Sequence, residues 1–336
     1  MSKSADRLGH LDAARGLGII LVVGIHAFGY AFPKGTTGAP VLNRLFDEFL
    51  GIAVPIFYLV DGFLTTKSAS KLLPPSFSEI ARKSARRLLV PWVIFNVIYV
   101  TFRVLTEWRG IVDTRLFVGR PLSVCIENIW LSNVASQLYF LPTLFLMRLA
   151  AYPCRRILTG SVTRLVLFGF AYTAVMRGLG MRLEGDPISH AIVEFPFFLF
   201  GCLIQRLEAA GSARAMRIFC AIGIGLIVQR FLPWPADWNG VSFNLAKYGL
   251  CLAVYEGSKW MAGPGSPLLW LGGRTMEIYL LHSPIVIRFV GLIAAKATGL
   301  NWSRYVFVWG VTLAISIAIT LVLARFPRSR ILFGQS

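Results

Sequence analysis

Long runs of apolar residues, separated by short polar segments, recur along the whole chain. A helix needs about 20 apolar residues to cross the hydrocarbon core of a bilayer, and it pairs its own backbone polar groups there. The runs lack the short apolar–polar alternation of a membrane β-barrel. The pattern therefore predicts an all-α, polytopic transmembrane helix bundle. About ten spans are expected, near residues 16–32, 45–66, 88–105, 138–152, 162–178, 190–205, 215–232, 241–262, 276–295 and 305–326.

Composition and charge agree with a membrane protein. Of the 336 residues, 56% are hydrophobic and 15% are charged, which is unlike a soluble domain. With the N-terminus in the cytoplasm, twenty of the 34 Lys and Arg residues fall in inner segments and ten in outer loops. Topology thus explains the net charge of +18 better than nucleic-acid binding does. We expect both termini in the cytoplasm and a single integral membrane domain over residues 1–336.

The cysteines show no sign of a metal site. None belongs to a CxxC pair or to another spacing typical of metal ligands. Because free cysteine behaves as a small buried hydrophobe, we interpret them as packing residues and predict no bound metal. They are Cys125, Cys154, Cys202, Cys220 and Cys251.

The first predicted span contains two ionisable residues, Arg15 and His26, within an apolar run. They are eleven positions apart, so they return to nearly the same helix face about 16 Å apart along the axis. Ionisable groups inside a membrane are costly and are therefore candidates for function. Two interpretations stay open. In the first, Arg15 pairs with Asp12, and His26 forms a hydrogen bond to a neighbouring helix. In the second, a buried, neutral His26 acts as a general base.

Other predicted spans also contain polar residues. Glu277 and Arg288 share a helix face, which predicts a structural ion pair. His282 is followed two residues later by a proline, which opens a helix and frees backbone carbonyls for partners. A helix contact and a role in a site both stay open for His282. The remaining candidates are Asp61 in the second span and Glu194 in the sixth.

The segment after the second predicted span, residues 67–87, is a strongly basic loop in this interpretation. Positive-inside topology accounts for its charge. A compatible functional interpretation is a cytoplasmic receiver for a phosphorylated donor, because Arg and Lys pair well with phosphate oxygens. The residues that we expect to bind such a donor are Arg82, Lys83, Arg86 and Arg87.

Six segments together resemble the acyltransferase 3 family of membrane acyltransferases. The arginine, ten residues and histidine within residues 11–26 resemble the hallmark of that family. The other five segments, in the order of the family, are VPIFYLVDGFL (54–64), ARRLLVPW (85–92), QLYFLPTLFL (137–146), FFLFGCLIQR (197–206) and LGGRTMEIYLLHSPI (271–285). Asp61 departs from the usual serine, and Tyr139 from the usual tryptophan of the polysaccharide-modifying branch. Both departures bear on the branch of the family and on the substrate more than on the class of protein.

The resemblance implies transfer of an acyl group, usually acetyl from acetyl-CoA, to a hydroxyl of an extracytoplasmic or lipid-linked carbohydrate. It implies His26 as the general base or acyl carrier and Arg15 at the entrance for the donor. Supporting roles fall to Asp12, Asp61, Tyr139, Glu194 and His282. Two interpretations stay open for four aromatic residues, which either offer faces to the glycan or anchor the protein at the membrane interface. They are Tyr139, Trp130, Trp234 and Trp238. The expected location is the bacterial cytoplasmic (inner) membrane, among membrane lipids and without nucleic acid; the sequence does not fix the oligomeric state.

Two other classes of protein stay open at this point. A transporter or flippase for a lipid-linked saccharide explains the spans and the buried charges, although the sequence lacks the paired repeats that such proteins commonly show. A sensor or assembly component would use Arg15 and His26 only to hold helices together. Turnover of a thioester would separate an enzyme from both.

Overall fold

A computed structural model describes residues 8–32, 49–112, 114–182, 185–212, 214–216, 218, 220–223, 239–297 and 302–334. Every regular element within these ranges is a helix, which confirms the all-α prediction. The first half contains α1 (Gly9–Ala31), α2 (Ala53–Ala69), α3 (Phe77–Ser84), a π-helical turn (Ala85–Leu89), α4 (Val90–Trp108), α5 (Leu122–Trp130), a 3-10 turn (Ser136–Tyr139) and α6 (Phe140–Ala151). The second half contains α7 (Arg155–Leu158), α8 (Val162–Gly178), α9 (Pro187–Ala209), α10 (Asn239–Met261), α11 (Pro267–Gly272), α12 (Thr275–Leu281), a second π-helical turn (His282–Val286), α13 (Ile287–Ala297), α14 (Trp302–Leu323) and α15 (Ser329–Leu332).

Five helical stretches of the described chain are long and apolar enough to cross a membrane, and each overlaps a predicted span. They are Gly9–Ala31, Phe77–Trp108, Pro187–Ala209, Thr275–Lys296 and Trp302–Leu323. The predicted span at 138–152 corresponds to α6, which has only 12 residues and rises about 18 Å against a hydrocarbon core of about 30 Å. Most of the predicted span at 215–232 lies outside the described residues. Ten spans and two cytoplasmic termini therefore stay predictions.

Local sequence signals fix where several helices begin. α9 starts behind Asp186, whose carboxylate accepts hydrogen bonds from the backbone N–H groups of Ile188 at 2.7 Å and Ser189 at 3.1 Å. Partial burial acts to raise the pKa of Asp186, but these hydrogen bonds hold it below its ordinary value. α3 starts with a capping box in which Ser76 and Glu79 satisfy each other's backbone N–H groups.

Two glycines allow α2 and α9 to pack backbone against backbone at the centre of the bundle. A Cβ added at Gly62 would lie 2.0 Å from the carbonyl oxygen of Phe198, and one added at Gly201 would lie 1.9 Å from that of Leu59. Small residues allow such close approach in membrane helices, where van der Waals packing drives association. The contact is therefore reciprocal, and each helix supplies the space that the other needs.

Replacing Gly62 with alanine is expected to destabilise the protein by about 1–3 kcal/mol, because the new methyl group forces two helix backbones apart. Gly169 lies within α8 with open space around its Cα, so Gly169→Ala is the matched control and is expected to be neutral. Unfolding of both variants in detergent micelles measures the difference. Equal stability of the two variants would contradict the close approach of α2 and α9.

Candidate functional site

Helix α1 carries Arg15 and His26 on one unbroken helix, about 16 Å apart along its axis. The Nη1 atom of Arg15 lies 3.2 Å from Oδ1 of Asp12, so the ion pair that the spacing suggested is present. The first turns of α1 pack closely on α11, where a Cβ added at Gly272 would lie 1.8 Å from the carbonyl oxygen of Asp12. This contact fixes the position of the Asp12–Arg15 pair.

His26 lies beside His282, the first residue of the second π-helical turn, directly after α12. The two imidazole ring centroids are 5.2 Å apart and the rings are inclined by 50°. The Nδ1 atom of His282 lies 2.7 Å from the carbonyl oxygen of Tyr279 and 3.2 Å from that of Ile278. Because only an N–H group can donate to a carbonyl, Nδ1 carries the proton and the neutral ring keeps a lone pair on Nε2. That Nε2 atom is buried without a hydrogen-bond partner among the described residues.

The helix that carries His282 is interrupted directly after this residue, as the proline predicted. Ser283 adopts φ −134° and ψ 149°, which is extended backbone within a helical segment. Its carbonyl oxygen accepts a hydrogen bond from Nε2 of Gln137 at 2.5 Å, and the hydroxyl of Tyr279 donates to the carbonyl of Gln137. The hydroxyl of Tyr99 donates to the carbonyl of Leu280. The interruption is therefore supported by α4 and by the 3-10 turn before α6.

The predicted pairing of Glu277 with Arg288 is wrong. The interruption at residues 282–286 removes the common helix face on which that prediction relied. Glu277 is buried on α12, whereas Arg288 is exposed on α13. The two residues belong to separate helices.

A small cavity of about 60 Å³ lies on the Arg15 side of the histidines. Three arginines and one acid line it, namely Arg15, Arg87, Arg148 and Asp61. Its aromatic wall comprises Phe57, Phe140 and Tyr279, and the ring centroid of Tyr279 lies 6.1 Å from that of His282. The wall of this cavity thus extends from the arginines toward the histidine pair.

The acid in this cavity, Asp61, forms a buried ion pair with Arg148. The Nε atom of Arg148 lies 2.8 Å from Oδ2 of Asp61, and its Nη2 atom lies 2.5 Å from Oδ1. Arg148 lies in the last turn of α6, and 18% of its side chain is exposed. Since Asp61 is neutralised in this way, the cavity keeps an excess of positive charge.

The basic segment after α2 is largely helical, which corrects the prediction of a loop. Arg82 and Lys83 lie in α3, and Arg86 and Arg87 lie in the π-helical turn. All four side chains are exposed, but only Arg87 lines the small cavity. Arg82, Lys83 and Arg86 do not line this cavity, although Lys83 lies one helical turn before Arg87.

A second group of polar residues surrounds Tyr139 and Glu194. The ring of Tyr139 stacks on His190 with centroids 3.9 Å apart, so one of its faces is covered. The Nδ1 atom of His190 lies 3.9 Å from Oε1 of Glu194, beyond hydrogen-bond distance. Buried atoms without a hydrogen-bond partner among the described residues include the Tyr58 hydroxyl, Nδ1 of His190 and Oε2 of Glu194. Sequence reasoning assigned nothing to His190 or Tyr58, although His190 precedes Glu194 by one helical turn.

The structure bears on two further expectations, those for the aromatic residues and for a metal site. Trp234 and Trp238, which we expected to offer aromatic faces, lie outside the described residues. Among the described residues, no three His, Cys, Asp or Glu side chains form a group that could hold a metal ion.

The fold and these residues define an integral membrane protein with ionisable groups buried inside a helix bundle. The family model for an acyltransferase domain, that of the acyltransferase 3 family, matches residues 8–321. The chain belongs to this family and is a membrane acyltransferase. No curated protein and no solved structure matches the chain.

Proposed function

We propose that this protein transfers an acyl group, usually acetyl from cytoplasmic acetyl-CoA, to a hydroxyl of an extracytoplasmic or lipid-linked carbohydrate. The observation that carries the proposal is the arrangement along α1. Arg15 lies in an arginine-lined cavity, and His26 lies about 16 Å further along the helix, beside His282. We place the reaction in the bacterial cytoplasmic membrane.

The arginine-lined cavity suits the donor. Guanidinium groups bind phosphate oxygens through paired, charge-assisted hydrogen bonds. Arg87 supplies such a group at the cavity, and Arg15 does so through the N–H groups that do not contact Asp12, while Arg148 is engaged with Asp61. A space of about 60 Å³ accepts a few atoms rather than a nucleotide. A phosphate group of the donor therefore fits this cavity, and the pantetheine arm carries the thioester about 16 Å further, to His26.

The histidine pair suits the chemistry. A sugar hydroxyl attacks a thioester only weakly until a base removes its proton, and we assign that role to His26. The sugar oxygen forms a bond to the acyl carbon, the C–S bond breaks, and the imidazolium returns the proton to the departing thiolate of CoA. His26 alternatively carries the acyl group itself before the sugar attacks. His282 supports either route, because its Nε2 lone pair is available to accept a proton.

The interrupted helix at residues 282–286 favours a second candidate. Transporters commonly bind substrates at such interruptions, so a transporter or flippase for a lipid-linked saccharide is the alternative. Purified protein in lipid nanodiscs, incubated with labelled acetyl-CoA and an oligosaccharide, separates the two. Release of free CoA together with label in the glycan supports the enzyme. Saccharide uptake by sealed vesicles without release of CoA supports the transporter.

Arg15→Gln is expected to raise the KM for acetyl-CoA by about 10- to 100-fold, because a hydrogen bond to a charged group contributes about 1.5–3 kcal/mol. We expect the turnover number to change little. Arg86→Gln is the matched control, since Arg86 is exposed and does not line the cavity. Steady-state kinetics over a range of donor concentrations measures both. An equal rise in KM for the two variants would rule out Arg15 as a specific donor contact.

A further inference from the structure

The polar residues around Glu194 form a group to which the proposed reaction assigns no task. Glu194 and His190 lie one turn apart in the first half of α9, and the hydroxyl of Tyr58 on α2 lies close to the carboxylate of Glu194. The Tyr58 hydroxyl, Nδ1 of His190 and Oε2 of Glu194 are all buried, and none of them has a hydrogen-bond partner in the part of the chain that the structure describes. Three unpaired polar atoms therefore meet in one place, here called the Glu194 cluster.

A cluster of this kind requires a partner. Leaving a buried donor or acceptor unpaired costs free energy, and folded proteins contain few such groups. Tyr58 is fully buried, whereas 13% of the His190 side chain and 17% of the Glu194 side chain are exposed. The cluster is therefore accessible from one side, and a ligand that enters there can supply the missing hydrogen bonds.

The Glu194 cluster lies at the same end of the bundle as His26. The ring of Tyr255 contacts His10, at the start of α1. Lys259 covers that ring and forms an ion pair with Glu208, at the end of α9. Helices α1 and α9 therefore run in opposite directions, so the start of α9 lies at the level of the end of α1, where His26 is located.

A row of aromatic rings joins the cluster to the histidine pair. The ring centroids of Tyr58 and Phe140 are 5.4 Å apart, those of Phe140 and Tyr279 are 5.5 Å apart, and those of Tyr279 and His282 are 6.1 Å apart. Two side chains thus separate the cluster from His282. A ligand of several sugar rings is long enough to contact both the cluster and the histidine pair.

We propose that the Glu194 cluster binds hydroxyl groups of the carbohydrate acceptor. A carboxylate accepts hydrogen bonds, whereas a phenol hydroxyl and an imidazole nitrogen donate or accept them. Neutral hydroxyl groups match this set, because each donates one hydrogen bond and accepts others. A phosphate group does not match it, because its charge is repelled by Glu194. The inference rests on the carbohydrate acceptor of the proposed function and adds the residues that hold it.

Stability of the ligand-free protein separates a ligand site from a structural network. Tyr58→Phe removes an unpaired hydroxyl, so we expect the melting temperature in nanodiscs to stay the same or to rise. Tyr172→Phe is the matched control, because its hydroxyl donates to the carbonyl oxygen of Ile192 on α9 at 2.8 Å. Loss of that hydrogen bond is expected to lower the melting temperature by about 1–3 °C. An equal fall for Tyr58→Phe would assign its hydroxyl a structural role and overturn the proposal.

Saccharide binding tests the ligand directly. The probes are the methyl glycosides of glucose, galactose and mannose, and binding is measured by saturation-transfer NMR in nanodiscs without acetyl-CoA. We expect the wild type to bind at least one probe and Glu194→Leu to lose about tenfold or more in affinity, because hydrogen bonds to a charged group are lost. Tyr172→Phe should stay within about twofold of the wild type, since its hydroxyl is already paired within the protein.

Two results would overturn the proposal. One is the absence of binding of every probe to the wild type, and the other is equal affinity of the wild type and Glu194→Leu, which would leave ordered water as the partner of the cluster. If Glu194→Leu does not fold, Tyr58→Phe takes its place, with an expected loss of about fivefold.

The binding experiment does not require acyl transfer. Transfer to a glycan by a protein whose Glu194 cluster binds no saccharide would contradict this inference alone. Saccharide binding at the cluster without transfer would contradict the proposed reaction alone.

Discussion

His26→Gln is expected to lower the turnover number for acyl transfer by about 100- to 10,000-fold, the usual contribution of general acid–base catalysis. Glutamine fills a similar volume beside His282 but has no basic nitrogen. The KM for acetyl-CoA is expected to change little, because Arg15, the donor contact proposed above, lies about 16 Å away along α1. Release of CoA and label in the glycan, measured for the purified variant, report the loss.

The control for this variant is His10→Gln in the first turn of the same helix. His10 contacts the rings of Phe63 and Tyr255 and does not line the small cavity, so we expect near wild-type turnover. Acid quenching after mixing with labelled donor alone separates the two chemical routes. Label on the wild-type protein but not on His26→Gln indicates an acyl-histidine. Full activity of His26→Gln would remove His26 from the mechanism.

Asp61→Ala is expected to destabilise the protein by about 3–5 kcal/mol, because it leaves the Arg148 guanidinium buried without its partner. Asp61 is 6% exposed and Arg148 18% exposed, so solvent screens the pair only weakly. Unfolding of the purified protein in mixed micelles measures the loss.

A double variant tests whether the unpaired charge of Arg148 causes the loss of stability. Asp61→Ala/Arg148→Leu removes both charges and is expected to recover much of the stability that the single variant loses. Glu127→Ala, which removes an exposed carboxylate from α5, serves as the control and should be neutral. If Asp61→Ala is as stable as Glu127→Ala, or if the double variant recovers nothing, the ion pair does not stabilise the folded protein.

The part of the site that lies on one helix was predictable from the sequence. Arg15, His26 and Asp12 belong to α1, and regular helix geometry fixes their relative positions. Partners on different helices were not predictable. Periodicity indicates the helix face on which a residue lies, but it does not indicate which other helix packs against that face. Asp61 with Arg148 and Tyr139 with His190 are contacts of this kind.

The structure gives a physical reason for one of the two departures from the family pattern, the aspartate at position 61. A serine at the position of Asp61 would not neutralise a buried arginine, whereas Asp61 contacts Arg148 through both of its oxygens. The predicted pair of Glu277 and Arg288 shows the opposite case. Eleven positions along a helix span about 16 Å, so two residues can share a face and still lie too far apart for an ion pair. The interruption after His282 also removes the shared face.

The glycine contacts between α2 and α9 also bear on how the protein moves. Two helices whose backbones touch at Gly62 and Gly201 cannot slide or tilt against each other without a collision of main chains, so we expect them to move as one rigid body. The extended backbone at Ser283 does not act as a free hinge, because the N–H of Ile287 bonds to the carbonyl of His282 across it and Gln137 donates a hydrogen bond to the carbonyl of Ser283. We therefore expect α13 to keep its angle to α12. The position of His282 beside His26 then depends on a helix junction that is held on both sides.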